Sequence, residues 1–155
     1  MTIAMSEDNV WWGGKLPAPE QMTVMCQASM PGFVGIEFTE AGPDSVSARM
    51  PVSERTRQPY GRLHGGASVV LAETVGSIAA SHAVDRTRFA TVGMEINANH
   101  VRPVYDGYVH ATATAVNIGR TTQIWSIRIV DDTGKLVCVS RLTMAVIPLD
   151  RGGKN

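Results

Sequence analysis

The chain has 155 residues, enough for one domain with a real hydrophobic core. Its 14 Lys and Arg balance 14 Asp and Glu, and only 18% of residues are charged, which argues against a nucleic-acid or anionic-membrane binder. That balance still allows a ligand whose phosphates meet a few arginines locally. Low charge with many Gly, Ala and Val residues also suggests covered surface, as in an oligomer. Cys26 and Cys138 form no metal-ligand pattern and read as free thiols in a reducing cytoplasm. No Arg/Lys-led apolar segment opens the chain, and the longest apolar helix carries Glu73, so neither a signal peptide nor a membrane span is expected.

Residues 1–31 read as an N-terminal arm followed by a short helix. Asn9 to Gly14 resembles a loose arm whose Trp11 and Trp12 pack onto the domain or onto a partner. Glu20 to Met30 suits a helix with Met22, Met25 and Cys26 inward, closed by Pro31-Gly32. Phe33 to Thr39 and Ser45 to Val52 read as strands joined through Ala41-Gly42-Pro43-Asp44. In the second, Val46, Ala48 and Met50 alternate with Ser45, Ser47 and Arg49, giving one covered and one wetter face.

From Arg57 to Gly61 the chain is polar and turn-rich. At His64-Gly65-Gly66 it changes to an apolar run that reads as one buried helix ending near His82. At 100° per residue, Leu71, Val75 and Ile78 fall on one side and Glu73 on the other, beside Gly66, Val69, Gly76, Ser77 and Ala80. That small-residue face invites close approach by a ligand or another chain. A carboxylate there must be hydrogen-bonded, paired with an arginine, or functional.

Four strand-like segments follow. Thr91 to Val101 alternates through Val92, Met94, Ile96 and Ala98, and Gly107 to Ile118 through Val109, Ala111, Ala113 and Ala115. Thr121 to Val130 sets Trp125, Ile127 and Ile129 against Ile124, Ser126, Arg128 and Val130; the turn Asp131 to Gly134 leads into Lys135 to Ile147. Short links imply antiparallel neighbours, and no crossover helix separates the later strands. The expectation is an α+β domain over residues 32–148, an antiparallel sheet wrapped around a central helix, with a flexible tail at 149–155.

Gln58-Pro59-Tyr60-Gly61, the run His64 to Glu73, Gly93 to His100, Gly119-Arg120-Thr121-Thr122 and Ser140-Arg141-Leu142-Thr143, in this order, resemble the hotdog-fold acyl-CoA thioesterases. The likeness covers about Gly32 to Pro148. It falls in the Glu-dependent branch of the 4-hydroxybenzoyl-CoA thioesterases, near bacterial 1,4-dihydroxy-2-naphthoyl-CoA and related aroyl thioesterases. The resemblance implies that Glu73 attacks the thioester carbonyl or activates water, while the Gly65 N–H polarises that carbonyl. It gives Gln58 and His64 orienting roles and Ser77 a supporting site where some relatives carry Thr. Coenzyme A, part of the substrate, would be held by Thr121 and Thr122 with Arg102 and possible help from Arg151; Arg120 stands where some relatives have Ser. No added cofactor is required. The family pairs as dimers, usually dimers of dimers.

The chemistry agrees with these assignments. Thioester hydrolysis needs a base or nucleophile beside the carbonyl and donors facing the developing oxyanion. Free N–H groups at a helix start supply such donors. Bland readings stand beside these: a tight turn for the glycines, a helix cap for His64, a surface amide for Gln58, an ion pair for Glu73. Geometry adds a constraint. Nine helical residues rise roughly 13 Å, and Glu73 projects about 180° away from His64. A site using both needs Glu73 from a second subunit across a two-fold interface.

Other candidates rank lower. His100 ends a strand where it either lines an interface or does not; His82 reads as a helix-end residue favoured by the C-terminal dipole, and His110 as surface. Asn97 and Asn99 share one face. Ser68 lacks the nucleophile-elbow pattern, and no local His/Asp/Cys cluster suggests a metal. The leading function is hydrolysis of an aromatic or bulky acyl-CoA to free acid and CoA. The alternatives are a broad acyl-CoA or acyl-carrier-protein thioesterase and a non-catalytic acyl-CoA binding protein.

Overall fold

Alternating apolar and small polar residues give the middle strands one face that must be covered, and an apolar helix is there to cover it. The structure, a computed structural model, describes residues 9–149. The elements are α1 (Pro19–Cys26), α2 (Met30–Phe33), β1 (Glu37–Ala41), β2 (Ser45–Pro51), α3 (Gly65–His82), β3 (Phe89–His100), β4 (Tyr108–Ile118), β5 (Thr122–Asp131) and β6 (Leu136–Pro148). They form one sheet in the order β1-β2-β4-β5-β6-β3, antiparallel at every pairing. The sheet wraps the 18-residue α3. This is the hotdog fold.

The expected inward faces of β2, β4 and β5 hold. Val46, Ala48, Met50, Val109, Ala111, Ala113, Trp125, Ile127 and Ile129 are buried and meet Leu71, Ala72, Val75, Ala79 and Ala80 of α3. Each large aliphatic side chain removed from water in this way contributes about 1.5–3 kcal/mol before entropy is counted. Trp11, Met22 and Cys26 belong to the same core, so Trp11 packs on the domain itself, while Trp12 is exposed. Both cysteines are free and buried, and burial pushes both thiols above their usual pKa.

Several expectations need correction. Phe33 is exposed and closes α2 rather than opening a strand. Pro31 in the first turn suits a new helix start, and Gly35 at φ +80° then turns the chain into β1. Met25 is exposed, whereas Met22 and Cys26, one turn apart, form the buried face of α1. Gly76 and Ala80 are not part of an open face. Both are buried, and a Cβ built on Gly76 would fall 2.6 Å from Leu142 Cδ2 of β6. His82 stands in the last turn of α3 as expected, but burial opposes its charged form. Burial, first of all, holds its imidazole below the usual range, and its Nδ1 lies 2.9 Å from the Ile78 carbonyl.

The alternation expected in β3 breaks at Met94. Gly93 pairs with Met144 and Glu95 with Thr143, so Met94 is an extra residue in a β-bulge. Side chains therefore change face there. Val92 and Met94 are exposed, whereas Ile96 and Ala98 pack against the core. Glu95 and Asn97 share the outer face, where the Asn97 amide donates to the Glu95 carboxylate.

Candidate active site

Residues 53–64 approach the start of α3 through a network of main-chain bonds. Arg57 and Leu63 form an antiparallel bridge, and the Arg57 guanidinium donates to the Tyr105 carbonyl. Between them the Gln58 N–H donates to the Arg62 carbonyl at 2.8 Å, and Gly61 turns the chain at φ +90°. The Gln58 Oε1 accepts from the Tyr60 N–H, which leaves its side-chain N–H groups without an acceptor among the described residues.

His64 is the N-cap of α3. Its Nδ1 accepts from the Gly66 N–H at 2.8 Å, and its carbonyl accepts from Ala67 and Ser68. The Gly65 N–H makes no hydrogen bond within the described chain. A Cβ at Gly65 would fall 2.9 Å from His100 Nε2, and one at Gly66 2.9 Å from His64 Nδ1. The space of both missing side chains is thus taken by imidazoles, and only glycine fits so close.

Two cavities open along α3. The first, about 360 Å³, is lined by Gln58, Arg62, Gly65, Ser68, His100 and Arg102, among others. Arg62 and Arg102 make its mouth cationic, and Arg102 is steadied by a bond from its Nε to the Leu136 carbonyl. The second, about 300 Å³, is lined by Met25, Cys26, Pro31, Glu73, Ser77 and Ile78. Glu73 is half-buried there, with no ion pair or hydrogen bond inside the described chain. The arginine-partner explanation for this carboxylate finds no arginine. Its Oε1 lies where a side chain at Gly93 would stand. Ile78, expected on the opposite side of α3, shares this cavity, and the Ser77 hydroxyl bonds to Met144 Sδ at 3.7 Å.

One chain therefore brings Gln58, Gly65 and Arg102 together and holds Glu73 and Ser77 apart from them. His64 caps the helix but lines neither cavity. Arg120, Thr121 and Thr122 are exposed in the β4–β5 turn, where Thr122 pairs with Ala145 and Gln123 reaches the Ala80 carbonyl near the end of α3. Arg102 lies with Gly65 at the other end of that helix, roughly 22 Å from Ala80 along its axis. Arg151 falls outside the described residues. Arg62 is a lining residue that sequence reasoning passed over, and His100, weighed there only for an interface, lines the first cavity too. The signal for Arg62 was a cation two residues before a helix N-cap. Among the described residues no group of His, Cys, Asp or Glu is placed to hold a metal, and no helix is long and apolar enough to cross a membrane.

A helix wrapped by one antiparallel sheet, with unpaired helix-start N–H and an unpaired carboxylate along it, defines a hotdog-fold thioester hydrolase. Residues 60–138 match the model of the thioesterase superfamily, and the chain belongs to that family. It is an acyl-CoA thioesterase by family, a hydrolase of acyl-CoA-like substrates. A thioesterase of Pseudomonas aeruginosa, crystallised as a Gln-to-Ala variant, superposes with a TM-score of 0.88 at 46% identity, covering 91% of this chain and 100% of that one. The 1,4-dihydroxy-2-naphthoyl-CoA hydrolase of Escherichia coli is 45% identical over 128 residues, 83% of this chain and 93% of the relative. A Staphylococcus aureus protein, crystallised as a Glu-to-Ala variant, has a TM-score of 0.75 at 38% identity, covering 77% of this chain and 98% of its own. It was also crystallised as a Gln-to-Ala variant, described as a thioesterase enzyme, with the two substituted positions 15 residues apart.

Proposed function

We propose that the protein hydrolyses an aromatic or otherwise bulky acyl-CoA at sites shared between two subunits. The observation that carries this reading is the division of α3 into two cavities. One offers an unbonded Gly65 N–H beside Gln58 and two arginines; the other offers an unpaired Glu73. Gln58 and Glu73 are 15 residues apart, the same spacing as the substituted Gln and Glu of the Staphylococcus protein.

In this scheme the thioester carbonyl oxygen faces the Gly65 N–H, where the α3 dipole favours the developing negative charge. Glu73 of the second subunit attacks the carbonyl carbon or takes a proton from the attacking water. The tetrahedral intermediate then collapses and expels the CoA thiolate: on the water path this gives the free acid directly, and on the attack path it leaves an acyl–Glu73 anhydride that water hydrolyses to free acid and the regenerated carboxylate. Gln58 orients the thioester through its amide, and Ser77 fills a supporting place in the same cavity, one turn beyond Glu73. His64 acts by capping the helix start, so that the Gly66 N–H is satisfied and the Gly65 N–H is left for substrate. Arg62 and Arg102 meet phosphates of the nucleotide end, and the second subunit's Arg120-Thr121-Thr122 turn contributes from the other side; a phosphate contact from Arg151 belongs to the same reading. The aroyl preference rests on the naphthoyl-CoA hydrolase likeness and on the apolar wall of Met25, Pro31 and Ile78 beside Glu73. The minimum active unit is a dimer, joined along the free edge of β3 and able to pair again as a dimer of dimers. The buried, unpaired cysteines suit a reducing cytoplasm.

Thiol-release kinetics over aroyl-, phenylacetyl- and aliphatic CoA thioesters test this reading. The largest kcat/KM is expected for an aroyl-CoA, and Glu73→Gln should lower turnover by about two to four orders of magnitude with the fold intact. Wild-type turnover in that variant would remove Glu73 from the chemistry.

A further inference from the structure

Gly93 stands in the middle of a 12-residue strand, where a glycine weakens a sheet relative to alanine. Nothing in its backbone demands glycine, because its φ is not positive. Sheet packing does not demand it either. Within 4 Å of a Cβ built there, leaving out its own chain neighbours, the only atoms among the described residues are two of Glu73: Oε1 at 2.6 Å and Cδ at 3.8 Å. The space of the missing side chain is taken by the carboxylate.

The bulge at Met94 is what turns this position toward the helix. Ile96 and Ala98, beyond it, pack on the core, and His100 lies against Gly65. In an unbroken strand, residue 93 would lie on the opposite face from residues 96, 98 and 100. The extra residue lets one strand set both His100 and Gly93 against α3. Bulges of this kind often re-aim a residue beside an active site.

We infer that Gly93 is a positioning residue for the reaction, the seat that fixes where the Glu73 carboxylate rests. The inference depends on the proposed role of Glu73. Among the described residues that carboxylate has no hydrogen bond to hold it, so packing against β3 sets its place. A methyl group at position 93 would need the oxygen to retreat by about 1 Å, and a displacement of that size can cost about 100-fold in rate. Since the displaced atom is the free end of a flexible side chain, the fold absorbs the change easily.

Gly93→Ala should therefore keep or raise the melting temperature, leave the oligomeric state unchanged and hold KM within about twofold, while kcat falls by about 30- to 100-fold. The shorter Glu73→Asp side chain draws its carboxylate back from the strand. Adding Gly93→Ala to that variant should lower kcat by less than about threefold further, since the two changes act through one contact. A Gly93→Ala enzyme with kcat within threefold of wild type would overturn the inference. So would a changed oligomeric state, or the same loss in the Glu73→Asp background as in the wild type. If Glu73→Asp leaves too little activity to read, the kcat and KM of Gly93→Ala alone decide. Full turnover in Glu73→Gln sinks the role of Glu73 itself, whereas a dead Glu73→Gln beside an active Gly93→Ala sinks only the seat.

Discussion

His64 Nδ1 takes the Gly66 N–H at 2.8 Å, and the Gly65 N–H next to it is left without an acceptor in the described chain. The cap thus selects which helix-start donor is free. His64→Asn keeps an acceptor of the kind favoured at an N-cap, whereas His64→Ala removes it. The alanine variant should lose about 1 kcal/mol in urea unfolding. The asparagine variant should match wild-type stability and keep turnover within about tenfold, a range below that of a lost acid–base group.

Trp11 stacks on Trp125 with ring centroids 6.1 Å apart and planes 16° from parallel, and its Nε1 donates to the Gly42 carbonyl at 2.8 Å. It lines neither cavity. Trp11→Ala should cost about 3–5 kcal/mol of stability by leaving a hole in the core. Turnover per folded molecule should stay the same, which combined unfolding and thiol-release measurements will show.

The β5–β6 turn carries a pH-dependent contribution. The His110 side chain, then the Tyr108 N–H, holds the Asp132 carboxyl below its usual 3.8; the Thr133 hydroxyl does so most for Asp131. Both folded pKa values are depressed, so this stabilisation is complete above the unfolded value. It is lost as pH falls through the folded one. Melting curves of wild type and Asp132→Asn should differ at pH 7 and draw together as the pH falls below the unfolded value of 3.8. A constant difference would refute the charge-based account.

The long helix and the inward faces of β2, β4 and β5 were legible because a period of 3.6 or of two runs unbroken through them. β3 was legible as a strand but not in its facing. One extra residue at Met94 leaves no trace in composition and reverses every side chain after it. Gly76 and Ala80 misled for a related reason: a helical wheel shows which residues share a face, not where Leu142 will stand. Gln58 and Gly65 meet as the motif implied. Arg62 follows from its place in the loop before α3, whereas His100 joins them only because β3 ends across the start of α3, a tertiary fact with no local signature. Gly93, quoted within a motif, could be understood only once Glu73 was seen to fill its space.

Arg102 and Arg62 face the same cavity, and Arg102 holds a fixed direction through its bond to Leu136. A charge-assisted contact to phosphate contributes about 1.5–3 kcal/mol. Arg102→Ala should therefore raise KM by about tenfold or more while kcat changes less than threefold, the mark of uniform binding lost. Dephospho-CoA thioesters, compared with the parent substrate, will show whether the contact is to the ribose phosphate. An unchanged KM would remove Arg102 from the contact list.

The separation of the two cavities makes the subunit assignment testable. If each site takes Gln58 and Gly65 from one chain and Glu73 from its partner, defects placed in different chains complement. A dimer pairing a Gln58→Ala subunit with a Glu73→Gln subunit has one doubly defective site and one fully wild-type site. It should recover about half of wild-type turnover, the share expected of independent sites. A subunit carrying both substitutions, paired with wild type, leaves one defect in each site, so both are impaired. A site built within one chain reverses the pattern: the first dimer is poor and the second keeps half. Co-expression with two affinity tags, purification of the mixed species and thiol release on any accepted CoA thioester separate the alternatives. Since the comparison is between two arrangements of the same four subunit positions, folding or expression defects in the variants affect both alike. Half activity in the second dimer and not in the first would overturn the shared site.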